Sequence, residues 1–446
     1  MIRVLVTGFA WVALFVSPLI QGQELPSGTP EEVGISNQRL SRIDEFVERH
    51  IEANHFAGAV TLVARHGQVV QFEAYGTQDI EAGVPMAKDS IFRIYSMTKP
   101  ITSVAVMRLF EEGRFLLKDP VSKYLPEFEG LEVGVEETDE ETGEKVLKTV
   151  PAHREVTIRD LLRHTSGLTY GFWGDSLVDK MYLDKKVLTG DDTVQDTVAK
   201  LGTIPLKHQP GTVWEYGLST DVLGRLVEVI SGQRFDRYLD EHIFGPLGMK
   251  DTGFWVPPES AHRLAGVYEP NEDNTAIFPY DPEKTRDYLN KPTYFSGGGG
   301  LVSTAEDYVR FCQMLLNGGE LGGVRILGSE TVELMVSDHL AGIDDRRDLG
   351  PYGFGLGFAV TNDRGVSGEI LSAGSYGWGG MAHTGFWIDP QEELVGVFMT
   401  QLLPESPLPY RDLFRPVVYQ ACLLYTSDAA DDDTIVGLEG VGGGDG

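Results

Sequence analysis

Between Asn37 and Asn54 apolar residues recur at helical spacing through Leu40, Ile43, Phe46, Val47 and Ile51, which predicts a helix with one face to cover. Two strand-like runs follow, Ala57–Ala64 and Val69–Tyr75, and His66-Gly67 between them predicts a hairpin. A short run from Ile91 to Ile94 reads as a third strand and leads into an apolar helical segment that stops at Gly113. Helix, hairpin, strand and helix in that order predict an antiparallel sheet backed by helices. Further on, Leu131–Val135 and Val146–Val150 flank Glu136 to Lys145, seven of whose ten residues are charged, so a surface hairpin with a solvated tip is expected. Helical runs at Thr157–His164, Thr193–Leu201 and Leu218–Ile230 predict a helical lobe, about 126–295, inserted into an α/β lobe of about 23–125 and 296–421. In the last third, Tyr352–Thr361, Ala382–Ile388 and Leu394–Thr400 read as strands and Tyr410–Gln420 as a closing helix. Ser303-Thr304-Ala305-Glu306 reads as a capping box for the helix containing Cys312. The expected class is α/β, of the α+β type.

The two ends of the chain break this pattern. Arg3, the apolar run Val4–Val16 and the small or polar residues Gln21-Gly22-Gln23 predict an export signal covering 1–22, and hence a periplasmic or secreted protein. An uncleaved membrane anchor is the alternative, disfavoured by the short run and Pro18. The run from Cys422 to Asp431 resembles a translated sequencing adaptor, so the natural chain is expected to end near Ala421; a real acidic, glycine-rich tail over 422–446 is the alternative.

With 446 residues, 41% of them hydrophobic, the chain is long enough for two lobes around a sizeable core. Its net charge of -30 excludes the basic surface that nucleic-acid binding requires. Only Cys312 and Cys422 are cysteines, so no disulfide framework exists, and Cys312 in a helical pattern reads as a buried, inert thiol.

Three stretches carry candidate chemistry. In Tyr95-Ser96-Met97-Thr98-Lys99-Pro100, Ser96 and Lys99 stand three apart at the head of the apolar helix, and that spacing puts both side chains on one face. A hydroxyl nucleophile needs a base and donors for the oxyanion it creates; Lys99 can supply the first and backbone N–H groups the second. Alone, S-x-x-K arises by chance about once in a chain of this size. The second stretch, Gln209 to Ser219, offers Tyr216 as a proton carrier opposite the lysine. The third, Tyr376-Gly377-Trp378-Gly379-Gly380-Met381-Ala382-His383-Thr384-Gly385, has glycines that let a substrate approach a strand, and the N–H of Met381 can join that of Ser96 in an oxyanion hole. By themselves the second is better read as a loop with a half-buried aromatic and the third as a bulged hairpin.

In this order and spacing the three stretches resemble the serine β-lactamase and D,D-peptidase superfamily, and more narrowly the family VIII carboxylesterases related to class C β-lactamases. Thr157 to Leu168, Gln209-Pro210-Gly211 and Gly298 to Asp307 add to the resemblance, which spans roughly Leu40 to Gln420. It implies a β-lactamase/transpeptidase-like fold, with Ser96 as nucleophile, Lys99 as activating lysine and Tyr216 as the tyrosine. Tyr216-Gly217-Leu218 stands where class C enzymes have Tyr-x-Asn, and Trp378-Gly379-Gly380 where they have Lys-Thr-Gly; His383-Thr384-Gly385 competes for that third motif. Loss of the motif lysine removes a cation suited to a β-lactam carboxylate, which favours neutral esters.

The four glycines Gly297–Gly300 match no phosphate-binding motif and predict close backbone packing. No G-x-S-x-G surrounds any serine, which argues against an α/β-hydrolase, and the histidines form no metal motif. His164 reads as structural and His383 as a candidate for the acyl pocket, while Tyr170, Phe172 and Trp173 are pocket walls or core with equal weight. The expectation is an exported serine hydrolase of short-chain carboxylic esters, acting through an acyl-enzyme without metal or organic cofactor. Its alternatives are a β-lactamase or D,D-peptidase using the same site, and a non-catalytic penicillin-binding-like protein.

Overall fold

The segment Gly58–Arg65 (β1) is buried along its whole length, and a strand covered on both faces has to lie inside a sheet with layers above and below it. The computed structural model describes residues 25–188, 192–346, 349–404 and 408–422, so the expected export signal and the tail beyond Cys422 lie outside the described residues. β1 pairs with β2 (Gln68–Asp79) through the predicted hairpin, and β2 with the short β3 (Val84–Pro85). The remaining strands come from the last quarter of the chain: β4 (Gly353–Phe354), β5 (Ala359–Val360), β6 (Tyr376–Gly379), β7 (Gly385–Asp389) and β8 (Leu394–Met399). The order is β4-β5-β6-β7-β8-β1-β2-β3, with every neighbour antiparallel. Chain start and chain end therefore meet in mid-sheet, where Val60 faces Met399 and Arg65 faces Leu394.

Alternation along these strands divides the core. Val60, Leu62, Ala64, Phe386, Ile388, Val395 and Val397 turn to one face, beneath α2 (Thr98–Glu111) and α4 (Ala305–Leu316). Ala59, Val63, Trp387, Leu394 and Phe398 turn to the other, beneath α1 (Arg42–Glu52) and α5 (Tyr410–Tyr419). α2 is buried almost all round rather than amphipathic, because α3 (Ser219–Ser231) of the middle segment covers the side that the sheet does not. The middle segment holds the predicted helices and the predicted charged hairpin, Glu132–Thr138 with Lys145–Pro151. It also holds a second small ribbon, Tyr268–Pro270 with Ile277–Pro279.

Several local expectations are corrected. The first helix is broken at Ser41 into Asn37–Leu40 and Arg42–Glu52. The Ile91–Ile94 run is a two-residue strand that pairs with Val302–Ser303, outside the main sheet. Tyr352–Thr361 folds back on itself as the β4–β5 hairpin, with Gly357 at φ 102 in its turn, a conformation that suits glycine. The cap of α4 is shifted by one residue: Thr304 accepts from the N–H of Asp307, and the Asp307 carboxylate turns away to the N–H of Asp251 and the hydroxyl of Thr252. Cys312 is fully buried, and burial pushes its thiol well above the usual range.

Buried histidines make the fold acid-sensitive. Burial lowers His50 to about 4, with help from His55 and Arg49, and lowers His383 to about 4, with help from Arg411. His164 and His339 are lowered by burial too. The folded protein keeps these rings neutral, so between about 4 and 6.5 the unfolded chain binds more protons. This contribution is complete above pH 6.5 and is lost as pH falls through 4. The urea midpoint is expected to be level from pH 7 to 8 and to drop between 6.5 and 4; an unchanged midpoint at pH 4.5 counts against it.

Candidate active site

The chain enters the site through a strained turn. Tyr95 has φ 41, unusual for a residue with a side chain, and Tyr95–Met97 form a single 3-10 turn before α2 begins at Thr98. Ser96 thus lies just ahead of the helix rather than on it. Neighbours hold the turn in place: Ile94 N–H donates to Leu301 O (3.1 Å), Leu301 N–H to Thr98 Oγ1 (3.1 Å) and Tyr308 Oη to Met97 O (2.8 Å). Strain held by such a frame is typical of functional turns.

Lys99 is buried at 2% exposure, and its Nζ has three polar partners. They are Gly298 O at 2.6 Å, Tyr170 Oη at 2.9 Å and Ser96 Oγ at 3.2 Å. The face of Tyr216 completes the enclosure, with Nζ 4.5 Å from the ring centre. A tetrahedral nitrogen with Cε and the first two partners in place keeps one direction, and that direction is toward Ser96.

Tyr216 is fixed by its surroundings rather than by a helix. Its neighbours Trp214 and Glu215 donate their N–H groups to Asp345 O and His164 O, both at 2.9 Å. The Glu215 carboxylate is held by Lys207 (2.7 Å) and His208 (3.2 Å). Trp214 and Trp173 stack on the Tyr216 ring, and the indole N–H of Trp378 donates to its oxygen at 3.3 Å. Behind the ring lies His164 at φ 56, buried, its ring centre 5.0 Å away. Its segment is anchored by Asp160, which Arg154, Arg163 and Thr157 contact; burial alone would raise that carboxyl, yet these partners hold it at about 2.

The third stretch is the strand β6 followed by a turn into β7. Trp378, Gly379, Gly380 and Met381 line one cavity of about 400 Å³ together with Ser96, Trp173, Trp214 and Tyr216. A Cβ on Gly380 would stand 2.5 Å from Ile94 O, so glycine there lets the turn lie against the nucleophile segment. Of the two candidate registers, Trp378-Gly379-Gly380 places all three residues on the cavity wall, while His383-Thr384-Gly385 places only Gly385 there. His383 points away from the cavity, buried at φ 65 with its ring centre 5.2 Å from that of Tyr410 on the α5 side of the sheet, and the acyl-pocket expectation for it is withdrawn.

Phe172 is likewise not a wall: half exposed, it packs edge-on against Trp173, which takes that place. Tyr170 does not line the cavity either; its phenol instead touches Lys99. Burial first, then Tyr216 and Asp221, push Tyr170 well above the ordinary range, so it stays protonated. Sequence reasoning missed this contact and that of Gly298 O. The only signal for either was proximity to the Ser166-Gly167-Leu168 and Gly297–Gly300 motifs.

A family model described as Beta-lactamase matches residues 43–418. The chain belongs to the beta-lactamase family. Among its relatives, Protein Rv1367c of Mycobacterium tuberculosis is 37% identical over 364 residues, 79% of this chain and 88% of that protein. Esterase EstB of Burkholderia gladioli is 32% identical over 368 residues, 78% of this chain and 87% of EstB. Among solved structures, EstCE1, titled a hydrolase with promiscuous acyltransferase activity, superposes with a TM-score of 0.72 at 27% identity, covering 86% of this chain and 99% of that one. The expected β-lactamase/transpeptidase-like fold is thus present, and the protein is a serine hydrolase of the beta-lactamase-like superfamily. No helix among the described residues is long and apolar enough to cross a membrane.

Proposed function

We propose that this protein is a carboxylesterase of the family VIII type, cleaving esters of short-chain acids through an acyl-enzyme on Ser96. The observation that carries the reading is that Ser96 and Tyr216, far apart along the chain, line one cavity while the buried Lys99 behind them contacts Ser96 Oγ and the face of the Tyr216 ring. Likeness to EstB supports ester substrates. So does Trp378, an uncharged residue at the place where a β-lactam carboxylate would meet a lysine.

The steps start from the contact of Ser96 with Lys99; Tyr216 meets Lys99 through its ring face, with its oxygen at the Trp378 N–H. Ser96 Oγ attacks the ester carbonyl and gives its proton to Lys99 as a neutral amine, whose lone pair takes the one direction not used by Gly298 and Tyr170. The N–H groups of Ser96 and Met381 hold the oxyanion. Tyr216 passes a proton to the departing alkoxide and is recharged from Lys99, and the Trp378 N–H at its oxygen favours charge developing there. Water then enters by the reverse route, and Ser96 regains its proton as the acid leaves. The aromatic walls Trp173, Trp214 and Trp378 exclude water and suit apolar acyl groups.

The test is a direct comparison on purified protein of p-nitrophenyl butyrate with a chromogenic cephalosporin. The ester is expected to have the higher kcat/KM by at least about tenfold, one step of 1.4 kcal/mol in the barrier. Faster turnover of the lactam would falsify the esterase reading and leave a β-lactamase on the same residues.

A further inference from the structure

The Gly297–Gly300 run sits on a buried carboxylate. Asp221, in the first turn of α3, is 2% exposed, and its Oδ1 accepts from Ser296 Oγ (2.5 Å), Tyr294 Oη (3.0 Å) and the Gly298 N–H (3.2 Å). Its other oxygen lies against Gly298, where a Cβ would come within 2.3 Å. The same Gly298 turns its carbonyl to Lys99 at 2.6 Å. One residue therefore joins carboxylate and amine, its N–H on the first and its C=O on the second. Thr102 ties the preceding link to α2 by donating to Gly297 O (2.8 Å), so the bridge cannot slide.

Burying a carboxylate without a cation is unfavourable unless something offsets it. Among the described residues no ion pair within 4 Å involves Asp221. Arg286, which donates to Gly300 O and acts on Tyr294, is the charged group near this run; the other groups that face Asp221 and Lys99 are phenols and an imidazole. Tyr294 and Tyr170 are pushed well above the ordinary tyrosine range by burial, with Asp221 contributing, and His164 is lowered well below its usual value by burial and by Lys99; the remaining neighbour is the Tyr216 ring. A carboxylate without an ion-pair partner thus stands one residue from the amine that contacts the nucleophile, and every hydrogen bond it accepts could be accepted equally by an amide oxygen.

We propose that Asp221 is a positioning residue for Lys99: its charge, transmitted through the Gly298 backbone, holds the amine on Ser96 and makes it the stronger proton acceptor. This rests on the reading of Lys99 as the group that takes the proton of Ser96.

The test compares Asp221→Asn with Tyr294→Phe, using the pH dependence of kcat and KM for p-nitrophenyl butyrate and a thermal melt. Asparagine removes the charge and keeps the acceptor; phenylalanine removes a hydrogen bond and keeps the charge. Asp221→Asn is expected to lower kcat about 10- to 100-fold with KM within about twofold, the size of a general-base effect, and to move the acid limb of kcat/KM to lower pH, because an amine without its anion gives up its proton more readily. Tyr294→Phe is expected to leave the limb in place. A limb unmoved in Asp221→Asn, or moved equally in Tyr294→Phe, overturns the inference and reduces Asp221 to packing. If Asp221→Asn does not fold, Asp221→Ser removes the charge with a smaller side chain and is judged by the same limb. Lys99→Met run in parallel separates the two ideas: full activity there sinks the reading of the lysine itself, whereas an inactive Lys99→Met beside an unchanged Asp221→Asn sinks only the role of Asp221.

Discussion

Ser96→Ala should lose turnover of p-nitrophenyl butyrate by roughly four orders of magnitude or more, the scale seen when a serine nucleophile is removed. The reason is that no neighbour can replace it. Lys99 points its remaining direction at Ser96 Oγ, Tyr170 is held protonated, and His383 is on the far side of the sheet. Folding should barely change, because alanine gives up one 3.2 Å hydrogen bond, about 1 kcal/mol, and leaves the clamps on Ile94, Met97 and Thr98 in place. The decisive measurement is mass spectrometry of acid-quenched turnover. Wild-type protein should carry one butyryl group on the peptide containing Ser96, and the alanine variant none. An adduct on another residue, or full activity in the variant, removes the nucleophile assignment.

Lys99→Met should lower kcat by about three to four orders of magnitude while leaving the melting temperature within a few degrees of wild type. The two halves of this prediction have different causes. Activity falls because methionine cannot accept the proton of Ser96. Stability survives because burying a polar amine has a desolvation cost that an apolar chain of similar length avoids, which offsets the loss of donors to Gly298 O and Tyr170. Lys99→Arg should not restore activity, since a guanidinium does not give up its proton and its fork does not fit a pocket built for one nitrogen. Turnover in either variant above about a tenth of wild type means that another group is the base. The likeness to EstB fixes neither outcome, so both are tests of this chain's own geometry.

Much of this site was legible because its signals are local. A spacing of three between a hydroxyl and an amine constrains both to one side of a turn, and a Gly-rich run after an aromatic strand marks close approach whatever it packs against. Helices α3 to α5 are likewise visible as periodicity, since each buries a face whose repeat is set by backbone geometry, while β1 and α2 show as continuous apolar runs and the ribbon at 132–151 by its charged tip. Errors arose where two local signals competed. In α4 both Ser303 and Thr304 could cap, and the claim of Asp251 and Thr252 on Asp307 settled which did. In Tyr352–Thr361 apolar residues suggested one strand, and the φ of Gly357 folded it into two.

What the amino-acid order determined by itself, then, was the identity of a serine, a lysine and a tyrosine with the chemistry to act together, and the elements that carry them. Which phenol oxygen touches the lysine, which carbonyl receives its shortest hydrogen bond, which side of the sheet His383 takes and what lies beneath Gly298 were decided only by the closed fold. Each of those contacts joins residues between about seventy and two hundred positions apart, or depends on which face of a sheet a turn leaves. Spacing along a chain fixes neighbours within a few residues; beyond that, the packing of α2 between the sheet and α3 selects the partners.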